Sequence, residues 1–268
     1  MPLVRIGEIE EYLRSLDGGW VNRAKTVDRF IYGDPDAQLT GICVGWMSYQ
    51  WALEETVRHG CNLFITHEPT FYDHWDSHPE SLDLDAAKRK RAFLDQHNLA
   101  ILRCHDLWDQ FPDIGIPDSW AKVLGFGPPI GGKGWYRILD VAGLTVGEVA
   151  KRVAGRIEGF KQQAVQVIGD LDRPIFRLAI GTGAITPLRH FMLEMGADAA
   201  LCTDDDFTFW RDGALAIDSG WPVIVVHHPV AEEHGLELLA NHLQMRFPEI
   251  PVRHIPQKCM YRLISSGR

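Results

Sequence analysis

Two histidine–carboxylate pairs carry the residue types that a divalent metal ion needs. His105 and Asp109 follow the run L-A-I-L-R-C, and His228 and Glu232 follow V-I-V-V-H; the separation is four residues in each pair. Imidazole nitrogens with carboxylate oxygens are a common ligand set for such ions. A spacing of four puts both groups on one face of a helical segment. One His-x-x-x-Asp arises readily by chance, but these two pairs hold matching places in a repeat. I-C-V-G from Ile42 runs through fourteen residues to Gly60 and an apolar run ending at Thr66. L-A-I-G from Leu178 runs through fourteen residues to Gly196 and an apolar run ending at Thr203. Two such halves facing each other would gather imidazoles and carboxylates at one centre.

Other candidates stand at strand ends, where ligands collect in open α/β sheets. Thr66-His67-Glu68-Pro69 follows directly on an apolar run. Its plain alternative is a strand-end histidine followed by a helix-entry glutamate. Asp204-Asp205-Asp206 follows Thr203 and reads as a cation site, a helix N-cap, or carboxylates that orient a ligand histidine. The orienting or cleft-lining role is preferred. Gly181-Thr182-Gly183 reads as a phosphate cradle or a tight turn. Thr186 stands where a dinucleotide fingerprint has its third glycine, which favours the turn. Most of the twelve histidines read as surface or packing residues.

The elements that must position these groups follow from periodicity. Helical spacing predicts helices over 6–16, 50–58, 88–97, 145–157, 188–195, 211–218 and 229–247. Thr145 is the expected N-cap of one, with Glu148 completing a capping box. Strands are expected over 39–44, 63–66, 99–104, 165–168, 177–180, 199–203 and 223–226, with an edge strand at 135–141 and a last strand at 260–264. Residues 106–112 read as loop, and the basic run Lys88-Arg89-Lys90-Arg91 as the solvated face of a helix. Strand–helix–strand alternation indicates parallel βαβ units. The expected fold is therefore α/β, with similar βαβ-containing halves at 1–125 and 170–268, a connecting segment at 126–169, and the metal cleft between the halves.

Bulk composition narrows the function. The chain has 268 residues, 46% hydrophobic and 24% charged, which suits a soluble fold with a real core. A net charge of -9 and a pI near 5.7 argue against a nucleic-acid partner, which needs clustered Lys and Arg. Five cysteines without a C-x-x-C pair form neither a disulfide framework nor a zinc ribbon. A reducing, cytoplasmic location is the expectation. No apolar run approaches the roughly 18 residues of a membrane span.

Together these motifs resemble the Nif-three-like family, whose members often carry the names type-two GTP cyclohydrolase I or dinuclear metal-centre protein. The family pattern has T/V-H-H-P, H-T-N-L-D, T-G-D and G-H-x-x-x-E segments. Here they read T-H-E-P (66–69), H-D-L-W-D (105–109), T-D-D (203–205) and H-H-P-V-A-E (227–232). The resemblance implies metal ligands at His67, Glu68, Asp109, His228 and Glu232, with His105 a proton carrier or an orienting group. It implies two divalent ions (manganese, iron, magnesium or zinc) and a ring-shaped homohexamer. The reaction class it suggests is metal-assisted hydrolysis of a small anionic or heterocyclic substrate, with Glu68 or His105 moving a proton. The competing class is a non-catalytic metal-binding or regulatory scaffold. Trp46, Trp75 and Trp108 are candidates to stack a heterocycle, or to pack in the core. Glu68 in place of a histidine bears on metal identity. Asp106, Trp108 and His227 in place of the usual residues bear on substrate.

Overall fold

The computed structural model describes residues 4–184, 188–205 and 207–266 and divides into two units. Unit 1 takes the chain up to Phe111 together with Leu236–Gln257; unit 2 takes Pro112–Gly235 and the residues from Lys258 onward.

In unit 1 the chain forms α1 (Ile6–Ser15), β1 (Arg29–Tyr32), β2 (Ile42–Gly45), α2 (Gln50–Arg58), β3 (Leu63–Thr66), α3 (Pro79–Asp83), α4 (Asp85–His97), β4 (Ala100–Arg103) and α5 (Asp106–Asp109). Every residue of β2, β3 and β4 is buried. Such runs suit parallel strands covered on both faces, and β2, β3 and β4 pair in parallel. Cys43, Phe64 and Ile101 point to one face, where Leu53, Ala87 and Leu94 from the helices meet them. The strand β1 was not expected: R-F-I-Y is only half-buried and pairs antiparallel on the outer side of β4. Residues 106–112 are not all loop, since α5 forms a short helical turn there.

Unit 2 begins with α6 (Ile116–Leu124) and continues through β5 (Tyr136–Asp140), α7 (Val146–Ile157), β6 (Gln166–Ile168), β7 (Arg177–Gly181), α8 (Leu188–Leu193), β8 (Ala199–Thr203), α9 (Ala214–Ser219) and β9 (Val223–Val226). Strands β7, β8 and β9 run parallel, and antiparallel β5 and β6 close the two edges. The segment 126–169 supplies those two edge strands and α7. The Thr145 hydroxyl accepts from Glu148 N–H at 3.2 Å and the Glu148 carboxylate accepts from Thr145 N–H at 2.8 Å, which is the expected capping box. Leu178, Ile180 and Leu201 feed one core; Ala179, Ala200 and Cys202 feed another on the opposite face.

The helix α10 (His228–Arg246) starts in unit 2, and its later residues belong to unit 1, as does β10 (Val252–His254). β10 lies parallel to β2 and completes the order β1-β4-β3-β2-β10; the second sheet reads β5-β7-β8-β9-β6. The strand expected at 260–264 does not form. Those residues are exposed and carry no strand; the last strand of the chain is 252–254. Each sheet thus has three central parallel strands in chain order, and the repeat read in the sequence maps onto them. Among the described residues, no helix is long and apolar enough to cross a membrane.

Candidate metal centre

In unit 1 two strand ends supply the candidate ligands. β3 ends at Thr66 and delivers His67 and Glu68; β4 ends at Arg103 and delivers His105, which precedes α5. The Asp109 N–H donates to the His105 carbonyl at 2.9 Å, so one helical turn brings the two side chains together. His105 Nδ1 lies 3.2 Å from Asp109 Oδ2, and His67 Nε2 lies 3.3 Å from Asp109 Oδ1. The rings of His67 and His105 stack at 4.4 Å and 16°. His67, His105 and Asp109 each offer one ligand atom, all within 4.8 Å of one another.

The local bonds decide which nitrogen faces the centre. His67 Nδ1 lies 3.1 Å from the Cys104 carbonyl, which only an N–H can satisfy. Its Nε2 lone pair is therefore directed toward Asp109. His105 Nδ1 lies 2.9 Å from Asp106 and Nε2 lies 3.7 Å from Glu68 Oε1. Burial disfavours the charged ring of His105, but Asp109, Asp106 and Glu68 outweigh it and hold its pKa well above the ordinary value. Asp106 is pushed down to about 2; burial opposes this, and the bond to His105 prevails.

Two residues that sequence reasoning missed hold this arrangement. The Asp28 carboxylate accepts the N–H groups of His105, Asp106 (3.0 Å) and Leu107 (2.8 Å), the otherwise unpaired donors at the start of α5. Burial pushes its pKa up. Arg103, fully buried, donates from Nε to the His67 carbonyl at 3.0 Å, from Nη1 to the His74 carbonyl at 2.6 Å and from Nη2 to Glu68 Oε2 at 3.3 Å. Asp28 lies far from α5 in sequence and carries no local signal. A cation at the end of a buried strand was a signal, and it points to Arg103.

Lys90 corrects another expectation. It is 4% exposed, not part of a solvated face. Its ammonium donates to the Thr70 carbonyl at 2.7 Å and lies 4.8 Å from the Tyr72 ring centre, pinning the loop after Glu68. Trp108 is buried and stacks on Phe111 at 4.7 Å, a packing role. Trp46 is buried, and Trp75 is exposed.

In unit 2 the corresponding strand ends carry their own pair. His228 opens α10, and its Nε2 lies 3.0 Å from Glu232 Oε2 one turn on. His228 Nδ1 lies 3.2 Å from Asp205 Oδ2, so Asp205 orients the ring as one reading of the acidic run required. Gly183 adopts φ +67, and a Cβ there would meet Glu232 Oε1 and His228 Nε2 at 3.3 Å. The Gly181–Gly183 segment is thus a tight turn whose backbone crowds the ligand pair. Thr203 Oγ1 fixes it by donating to the Gly183 carbonyl. Asp206 and Thr186 lie outside the described residues.

Ligands bound about 2.0–2.2 Å from a divalent ion stand about 3.0–3.4 Å apart at tetrahedral or octahedral angles. The His67–Asp109 separation of 3.3 Å and the His228–Glu232 separation of 3.0 Å fit that requirement.

The sequence model of Duf34/NIF3 (NGG1p interacting factor 3) matches residues 22–259. A GTP cyclohydrolase 1 type 2 homolog of Clostridium acetobutylicum is 24% identical over 214 residues, 72% of this chain and 77% of that protein. A protein of the same name from Streptomyces coelicolor is 24% identical over 246 residues, 87% of this chain and 78% of that protein. Among solved structures, a Staphylococcus aureus hypothetical protein superposes with a TM-score of 0.79 at 18% identity, covering 98% of this chain and 100% of its own. A Bacillus cereus protein related to NIF3 gives 0.79 at 13% identity, covering 99% and 100%.

Proposed function

The chain belongs to the Duf34/NIF3 family, and from that membership and the ligand geometry we propose that it is a divalent-metal protein acting as a hydrolase on a small anionic or heterocyclic substrate. The observation that carries the reading is the pair of histidine–carboxylate contacts just past the strand ends, 3.3 Å at His67–Asp109 after β3 and β4 and 3.0 Å at His228–Glu232 after β9. His67, Asp109, His228 and Glu232 are the ligands, and Glu68 adds a carboxylate beside His67. When bound, divalent ions supply Lewis acidity and lower the pKa of water.

The chain's own residues supply the rest. Asp205 and the Cys104 carbonyl fix the two ligand rings so that Nε2 of each faces its carboxylate, Asp109 or Glu232. His105, charged and gripped by Asp106, carries a proton to a leaving group at Nε2, and Glu68 accepts one from the attacking side. The relatives' name makes hydrolytic opening of a purine nucleotide ring the first reaction to test. Purified protein loaded with manganese, iron, magnesium or zinc is screened against nucleotides and other heterocycles. The expected result is turnover that disappears in Asp109→Asn and Glu232→Gln. Bound metal without turnover of any substrate would leave the scaffold reading in its place.

A further inference from the structure

Asp204 stands just past the end of β8 and His227 just past the end of β9, and the two side chains touch: His227 Nδ1 lies 2.7 Å from Asp204 Oδ2. A second contact of Asp204 shows where the pair acts. Asp204 Oδ1 accepts the backbone N–H of His228 at 2.9 Å.

We propose that Asp204 and His227 are positioning residues for the metal ligand His228. The inference rests on the metal reading above. One carboxylate grips two consecutive residues, the ring of the first and the N–H of the second, and so fixes the peptide plane between them. That sets the direction in which the His228 side chain leaves the backbone. Asp205 then sets the rotation of the ring, and Nε2 ends 3.0 Å from Glu232. Glycine at both positions would leave this segment the widest conformational freedom. His227 is held from two further sides: its N–H donates to Gln162 Oε1 at 3.0 Å, and its ring meets Tyr261 edge-on at 4.8 Å. It is 7% exposed, and its Nε2 has no hydrogen-bond partner among the described residues.

The test is cobalt(II) affinity, measured by chelator competition and by the visible absorption of the bound ion. It uses wild type, Asp204→Gly, His227→Gly, the double glycine variant and Glu232→Gln. Asp204→Asn and His227→Gln serve if a glycine variant does not fold, as judged by circular dichroism of the metal-free protein. Each single variant is expected to lose about tenfold or more in affinity and to shift the absorption band. The double variant is expected to lose no more than the weaker single, because the pair acts as one unit. Nitrogen-15 spectra of the metal-free protein should show the His228 backbone and ring signals shifted from wild type in each single variant. Affinities within twofold of wild type, or losses that add in the double variant, overturn the proposal. If those results come with cobalt lost in Glu232→Gln, the metal reading stands and the clamp alone fails. Wild type that takes up no cobalt overturns both.

Discussion

Arg103 and Glu68 form an ion pair at 3.3 Å, the arginine buried and the glutamate partly so, with side chains 1% and 14% exposed. Burial lowers the pKa of the guanidinium, and Glu68 and three aspartates counter the effect. Glu68, just past the end of β3, is therefore matched by a cation at the end of the neighbouring strand β4.

Arg103→Met should destabilise the protein by about 3–5 kcal/mol, because Glu68 and the His67 and His74 carbonyls all lose a fully buried cationic donor. The Glu68→Gln, Arg103→Met double variant should recover part of that loss. Arg103→Lys should not rescue, since one ammonium does not reproduce the planar fork that reaches three acceptors. Urea titrations of the variants check this.

Glu68→His should shift metal preference from manganese toward zinc. Carboxylate oxygen is the harder ligand, and removing it also removes a negative charge beside the site. Competition titrations of manganese against zinc measure the shift. Arg103 neutralises part of the Glu68 charge, so Arg103→Met in the wild-type background should move the preference the other way. An unchanged preference in Glu68→His removes Glu68 from the ligand set.

Metal content should be two divalent ions per chain in protein purified without chelator. Asp109→Asn and Glu232→Ala should each lower it. Mass spectrometry of the native protein gives the count, and occupancy equal to wild type in both variants contradicts the ligand assignment.

Burial lowers the Lys90 pKa to about 8 from its ordinary 10.5, partly opposed by Asp76. The unfolded chain therefore binds more protons than the native one between pH 8 and 10.5, and stability contributed at this site rises across that window. The buried charge costs about 3 kcal/mol below pH 8 and progressively less above it. Lys90→Met should remove this rise, seen as a flatter pH dependence of the urea midpoint between pH 7.5 and 10.

The homohexamer expected from the family resemblance should appear in sedimentation at micromolar concentration. A monomer throughout that range excludes it.

The sequence alone determined the repeat, the central strands and which polar residues stand at their ends. It could do so because buried parallel strands are short continuous apolar runs, and because polar residues directly after such runs have few places to go but the carboxyl edge of the sheet. The capping box of α7 was legible for a similar local reason: both partners lie within one helical turn. What only the tertiary structure decided is long-range. Asp28 meets the start of α5 across 77 to 79 residues of chain, and Arg103 reaches back 35 and 36 residues to Glu68 and His67. Residues 252–254 take the place beside β2, and 260–264 form no strand. Asp204 meets His227 across 23 residues. None of these contacts follows a local period. Each is fixed by how strands align in a sheet, and each serves a buried polar group that had to find its partner elsewhere in the chain.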